Sequence, residues 1–250
     1  MNALRALTVA EARMYVRDPS NAFFALAFPT VLLLALGLVM PGMKEPLTEV
    51  PGMAHLRLID LFVPITTALA MATVSLTTLP SVFGAYREQG VLRRLSTTPL
   101  PASRLLVAQV LVNVAALVAA VLVALLTARL VLGIAAPEQP LLVVGVFLLG
   151  AVQMVALGCL LAALVPSAGA ANGAGMLLYF PMLFFAGVWL PGPLMPDGLA
   201  QVSGFVPLGA AAQSLDEAWF GTGLPAQQVI VMVVWTLVLV PLAARLFRWR

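Results

Sequence analysis

Six apolar runs, each of about 20 residues, leave this chain few ways to fold. They cover residues 22–40, 59–84, 105–132, 141–165, 173–190 and 229–244, and the charges within them, Asp60 and Arg129, lie close to run ends. Uncharged runs of that length read as membrane-crossing helices and not as core helices. Barrel strands would alternate apolar with polar residues, and these runs do not. With 62% apolar and only 9% charged side chains, against about a quarter charged in an average globular chain, the sequence excludes a water-soluble globule. The expected fold is an all-α integral membrane protein, one transmembrane domain over 1–250.

The connecting segments orient those spans. Residues 1–20 place Arg5, Arg13 and Arg17 among Leu4, Leu7, Met14 and Tyr15, the pattern of an amphipathic helix lying along the inner leaflet. Its stripe is imperfect, because Glu11 and Asp18 fall near the apolar side. Pro41-Gly42 offers no small-residue cleavage signature, so the first span is expected to be retained. Pro64 and Pro80 should kink span two. Residues 166–172 form a short uncharged turn that makes spans four and five an antiparallel pair. Residues 191–225 are half apolar and are expected to dip into the outer leaflet as short re-entrant helices. The lead segment, the 85–104 loop and the tail hold all of the 13 basic residues except Lys44, Arg57 and Arg129. The positive-inside rule therefore puts both termini and that loop in the cytoplasm. These clusters adjoin spans, which argues for membrane lipids and against nucleic acid as a partner.

The 85–104 loop carries a polar island, Tyr86 to Pro99. Wound as one short helix, it aligns Glu88, Val91, Leu92 and Leu95 on one stripe, with Arg87, Arg93 and Arg94 opposite. Thr98 and Pro99 should end that helix. Its arginines fix topology in one reading; in the other, the island is a docking helix for a soluble partner.

Several kinds of chemistry are missing. A Walker A loop needs a lysine for the outer phosphates, and the one lysine, Lys44, sits in an outer loop. One histidine, His55, cannot supply the paired ligands of a metalloprotease, and no span holds the base that a serine protease requires. Cys159 is the single cysteine, so no disulfide forms within the chain. Ion-driven carriers place ionisable groups at mid-membrane, where this chain has none. Enzymatic activity and a self-contained ion-coupled engine are therefore not expected, and uphill movement would need energy from another chain.

The spans do contain hydroxyls and aromatics. Thr66, Thr73 and Thr77 lie near one face of span two, either bonding their own helix carbonyls or forming a weakly polar path wall. Tyr179, Phe180 and Phe184 in span five serve packing or an apolar substrate surface. Asn113 and Gln153 suit interhelical bonds.

The island, Tyr86-Arg-Glu-x-Gly90-x-Leu92-x-Arg94-Leu95-x-x-Thr98-Pro99, resembles the cytoplasmic loop of ABC type-2 exporter permeases. In that family the usual form is Arg-Glu-x-Gly-Thr-Leu-Glu-Arg-Leu-x-x-Thr-Pro, so Val91 and Arg93 depart from it, as Gln109 does from a frequent lysine. Phe185-Ala-Gly-Val-Trp-Leu-Pro191, Met195-Pro196, Val206-Pro207-Leu208 and Phe220-Gly221 are similar to the family's stretch from span five through the outer helices. The resemblance implies a coupling helix at the island, with Arg87, Glu88, Gly90, Val91, Leu92, Arg93, Arg94, Leu95 and Pro99 meeting the motor, and a connecting helix at 1–20. It implies spans two and five lining the path and a second permease, a copy or a paralogue. It also implies cytoplasmic ABC ATPase subunits that bind the ATP and Mg2+ this chain does not. Such permeases sit in the inner membrane and export hydrophobic drugs, lipids or polysaccharide precursors. A membrane scaffold that recruits a soluble partner without transport is the alternative.

Overall fold

The computed structural model describes residues 3–48, 53–97 and 102–246. Its elements are α1 (Ala3–Arg17), α2 (Pro19–Ala22), α3 (Phe28–Val39), α4 (Leu58–Ala72), α5 (Leu79–Glu88), α6 (Val91–Ser96), α7 (Ala102–Leu132), α8 (Pro140–Leu164), α9 (Ala168–Phe185), α10 (Asp197–Ser203), α11 (Pro207–Phe220) and α12 (Ala226–Leu246). No strand occurs among the described residues; one isolated antiparallel bridge, Pro46 to Arg57, closes the loop before α4. By length and composition, five helices can cross a membrane: Leu58–Glu88, Arg104–Leu132, Pro140–Leu164, Ala168–Phe185 and Ala226–Leu246. The run expected as span one takes the form of a shorter apolar helix, Phe23–Val39.

Two of these helices are interrupted by a π-helical turn, and each interruption precedes a proline. Pro29 follows the turn at Phe23–Ala27, and Pro80 follows the turn at Thr73–Thr78. A proline inside a helix donates no hydrogen bond, and its ring crowds the carbonyl four residues back. Those carbonyls belong to Ala25 and Leu76, and both lie within the widened turns. Widening relieves the clash while the helix continues. In span two the hydroxyls of Thr67, Thr73, Thr77 and Ser81 help to occupy the carbonyls, donating to Val63, Leu69, Thr73 and Thr77 respectively.

Span two, α4 with α5, is the centre of the bundle. Every residue from Ile59 to Leu76 is buried. Glycines on its neighbours permit this enclosure: a Cβ on Gly158 of α8 would collide with the Ser75 carbonyl, and one on Gly175 of α9 with the Leu76 carbonyl. The widened turn thus lies against bare backbone on both sides. Nearer the C-terminal end of the span, Gly84 of α5 passes so close to the turn between α8 and α9 that a Cβ would sit 2.6 Å from the Ser167 carbonyl.

Some boundaries differ from the sequence reading. Span five begins at Ala168 rather than Gly173, because Ser167 caps it by accepting from the Ala170 amide at 3.1 Å. It ends at Phe185, where Gly187 takes a left-handed φ of 89°. Beyond it, α10 and α11 form a helical hairpin. The N-terminal end of α11 meets the middle of α8, where the buried Gln153 donates to the Pro207 carbonyl at 2.8 Å. Its C-terminal end meets the loop before α8, where the Glu138 amide donates to the Trp219 carbonyl at 3.0 Å. Asn113 stays on its own helix and donates to the Gln109 carbonyl at 2.9 Å.

Gly158→Val would force span four away from the Ser75 carbonyl. Overpacking of this kind costs about 1–3 kcal/mol, and the purified variant is expected to melt below the parent protein in the same detergent.

Candidate functional site at the inner face

The island is not one helix. Tyr86, Arg87 and Glu88 are the last turn of α5, and Val91–Ser96 is a separate helix, α6. Gly90 causes the break with a φ of 66°, a left-handed conformation that ends the helix before it. The stripe expected to join Glu88 to Val91, Leu92 and Leu95 therefore does not form. Leu92 turns inward and is buried among Leu79, Phe83 and Leu105, anchoring α6 to the bundle, while Val91 is half-buried. Arg93 and Arg94 are exposed, and Arg94 donates to the Gln89 carbonyl at 3.0 Å. Pro99, like the side chain of Leu95, lies outside the described residues, as does the basic tail from Phe247 onward.

Arg87 and Glu88 grip the neighbouring spans. The Arg87 guanidinium donates to the carbonyls of Ala162 and Val165, the latter at 2.7 Å, and more weakly to Ala163 at 3.4 Å. Those carbonyls are at the C-terminal end of α8, where backbone acceptors have no helical partner and the helix dipole favours a cation. Glu88 accepts from the Ala168 amide at 3.2 Å, at the N-terminal end of α9, where the dipole favours an anion. Two adjacent residues of opposite charge thus hold the two ends of one interhelical turn.

Tyr86 reaches the other way. Its hydroxyl donates to Glu11 of α1 at 2.5 Å, and Gln109 of α7 donates to the same carboxylate oxygen. Glu11 is 5% exposed. Burial raises its pKa above the ordinary 4.5, and the Tyr86 hydrogen bond opposes that rise. A cavity of about 320 Å³ lies beside this cluster, between α1, α5, α7 and the start of α9.

The expected path residues are only partly together. Thr73 and Tyr179 meet across spans two and five, hydroxyl to hydroxyl at 3.0 Å. Thr77 bonds back to the Thr73 carbonyl at 2.5 Å. Thr66 is buried and its hydroxyl has no partner. Phe180 and Phe184 are exposed, each stacked edge-on against a neighbour on the same helix, Tyr179 and Phe185.

A second cavity, which no sequence pattern flagged, opens beside the α10–α11 hairpin. It holds about 470 Å³ and is lined by Pro64, Phe185, Ser203, Gln213, Asp216 and Gln228, among others. Gln213 donates to the Ala200 carbonyl at 2.8 Å, and Gln228 donates to Gln213 at 3.1 Å. Burial, with the Glu217 charge beside it, pushes the Asp216 carboxyl up to about 6.

No group of His, Cys, Asp and Glu among the described residues could hold a metal ion. The model of a protein family described as ABC-2 type transporter matches residues 2–220, which includes everything but α12 and its approach. No curated protein matches the chain.

Replacing Arg87 by Ala would leave the α8 carbonyls without their donor. Hydrogen bonds to a charged group contribute about 1.5–3 kcal/mol, so the variant is expected to melt lower, and Arg87→Lys to recover only part of the loss, since a point charge cannot fork across three carbonyls. Asp216 titrates in the opposite sense to a paired carboxylate. Its folded-state pKa lies above the ordinary 3.8, so its stabilising share is complete below that value and is lost as pH rises through about 6. Asp216→Asn should therefore raise the melting temperature at a pH well above 6 and leave it unchanged below 3.8.

Proposed function

We propose, since the chain belongs to the ABC-2 type transporter family, that this multi-pass permease is the membrane subunit of an ATP-driven exporter and that the motor acts on it through α6. The observation that carries this reading is the grip of Arg87 and Glu88 on the ends of α8 and α9. A displacement of α6 passes through Gly90 to the last turn of α5. From there it reaches span four by Arg87, span five by Glu88, and α1 and α7 by Tyr86. Arg93 and Arg94 form the exposed contact with the motor, and Leu92 ties α6 to the bundle.

Six crossings fit this arrangement. The helical stretch from Pro19 to Val39 is continuous and extends about 30 Å at 1.5 Å per residue, which equals the hydrocarbon thickness. With that crossing added, both termini and α6 fall on the arginine-rich, cytoplasmic side of the inner membrane. The α10–α11 hairpin then sits in the outer leaflet. ATP and Mg2+ bind to ATPase partners, because Lys44 is on the wrong side and in no phosphate loop. The Thr73–Tyr179 contact marks where spans two and five part along the path, and the exposed Phe180 and Phe184 face a second permease. The substrate is hydrophobic or amphipathic, in keeping with walls of threonine and aromatic side chains.

The test is flux. Vesicles holding the chain and an ABC ATPase that forms a complex with it should accumulate a hydrophobic dye only with ATP. Reversing Arg93 and Arg94 to Glu should weaken docking about tenfold, equivalent to about 1.4 kcal/mol, without lowering the melting temperature. A complex that forms but never moves dye, under any gradient or with ATP, would make the chain a scaffold and end this reading.

A further inference from the structure

We propose that the inner-face cavity beside α1 is a binding site for an ammonium group, the cationic head of an amine-bearing amphipath. Its volume, about 320 Å³, is at the low end of the about 300–1,000 Å³ usual for small-molecule sites. That size fits a head group and excludes a whole amphipath. Two carboxylates, Glu11 and Asp18, line it together with the phenols of Tyr15 and Tyr86, and no lysine or arginine among the described residues does. This is an acidic recess in the most basic face of the molecule.

Two of its groups are incompletely satisfied. Both hydrogen bonds to Glu11, from Tyr86 and Gln109, fall on Oε2, and among the described residues Oε1 accepts none. Tyr15 is 8% exposed, and its hydroxyl has no hydrogen-bond partner among the described residues. A buried carboxylate with no cation and a buried hydroxyl with no partner are each costly, and native structures rarely keep either without a reason. An ammonium group answers both. Its charge pairs with Glu11, its N–H groups can donate to the Tyr15 oxygen, and a methylated ammonium lies against the two phenol rings. Asp18, the residue just after α1, lines the same cavity and adds to the field that admits a cation and rejects an anion. Met14, half exposed at the edge, gives a pliable apolar contact for the first methylenes of a tail. The site is separate from the Thr73–Tyr179 contact.

The experiment is calorimetric titration of the purified full-length chain, in uncharged maltoside micelles, with dodecylammonium, whose head keeps its N–H donors. Empty micelles give the partition background. Saturable binding is expected at one per chain, weakened about tenfold in Glu11→Gln and in Asp18→Asn, the scale of one charge-assisted contact. Dodecyl sulfate should not compete. Competition by free ethanolamine would make the head group alone sufficient, whereas competition only by added phosphatidylethanolamine would make the ligand a lipid; either outcome supports the site. Asp18→Asn removes charge from a half-buried residue without touching the Glu11 bonds, so it decides the matter if Glu11→Gln fails to fold. Equal affinity in the parent and a folded Asp18→Asn, or equal binding of the sulfate, would overturn the proposal.

Discussion

The architecture depends on where the carbonyls of span two go. In hydrocarbon a backbone acceptor has no water to turn to, and prolines at 64 and 80 remove donors that would have served it. The chain answers with a widened turn at Thr73–Thr78, and hydroxyls at Thr67, Thr73, Thr77 and Ser81 add donors to other carbonyls of the same span. It also answers with glycines at 158 and 175 that bring neighbouring helices against the turn. Remove the glycines and spans four and five cannot close over span two; remove the prolines and there is no widened turn to close over.

The same problem at the helix ends is solved with arginine. Arg87 caps α8 at the inner end, Arg57 donates to the Leu132 carbonyl of α7 at 3.0 Å, and Arg129 donates to Ile134 at 2.9 Å. Arg57 is itself fixed by Asp60 at 2.7 Å. Arginines that topology rules count simply as inside or outside thus have specific partners. Span two is bracketed at both ends by guanidinium groups that tie it to the ends of other spans, and α6 is attached to the inner bracket.

How much of this was legible follows from what each signal measures. Hydrophobic run length measures burial in lipid, so five of the six runs reappear as helices long and apolar enough to cross a membrane. Local pattern measures neighbours along the helix, so the spacing predicts one helix for the island, whereas Gly90 breaks it in two. Partners far apart in sequence leave little trace: Arg87 with Ala162, Glu88 with Ala168 and Gln153 with Pro207 are invisible to any window. One such trace did exist. Glu11 and Asp18 marred the apolar stripe of residues 1–20, and an acid on the greasy side of a helix is a buried acid in need of company. The cavity beside α10 and α11 gave no pattern because its walls come from five separate helices, α4, α9, α10, α11 and α12.

The Glu11–Tyr86–Gln109 cluster has a consequence for how relatives of this chain can diverge. Three helices meet on a single carboxylate oxygen, so no one of these positions can change its chemistry without stranding the other two. Drift at 11, 86 and 109 should therefore be concerted: an apolar residue at 11 would arrive with apolar residues at the others, and a cation at 109 would keep the acid at 11. The first helix, whose sequence is otherwise free to wander on its lipid side, would carry at this one turn the memory of which partners it was fitted to.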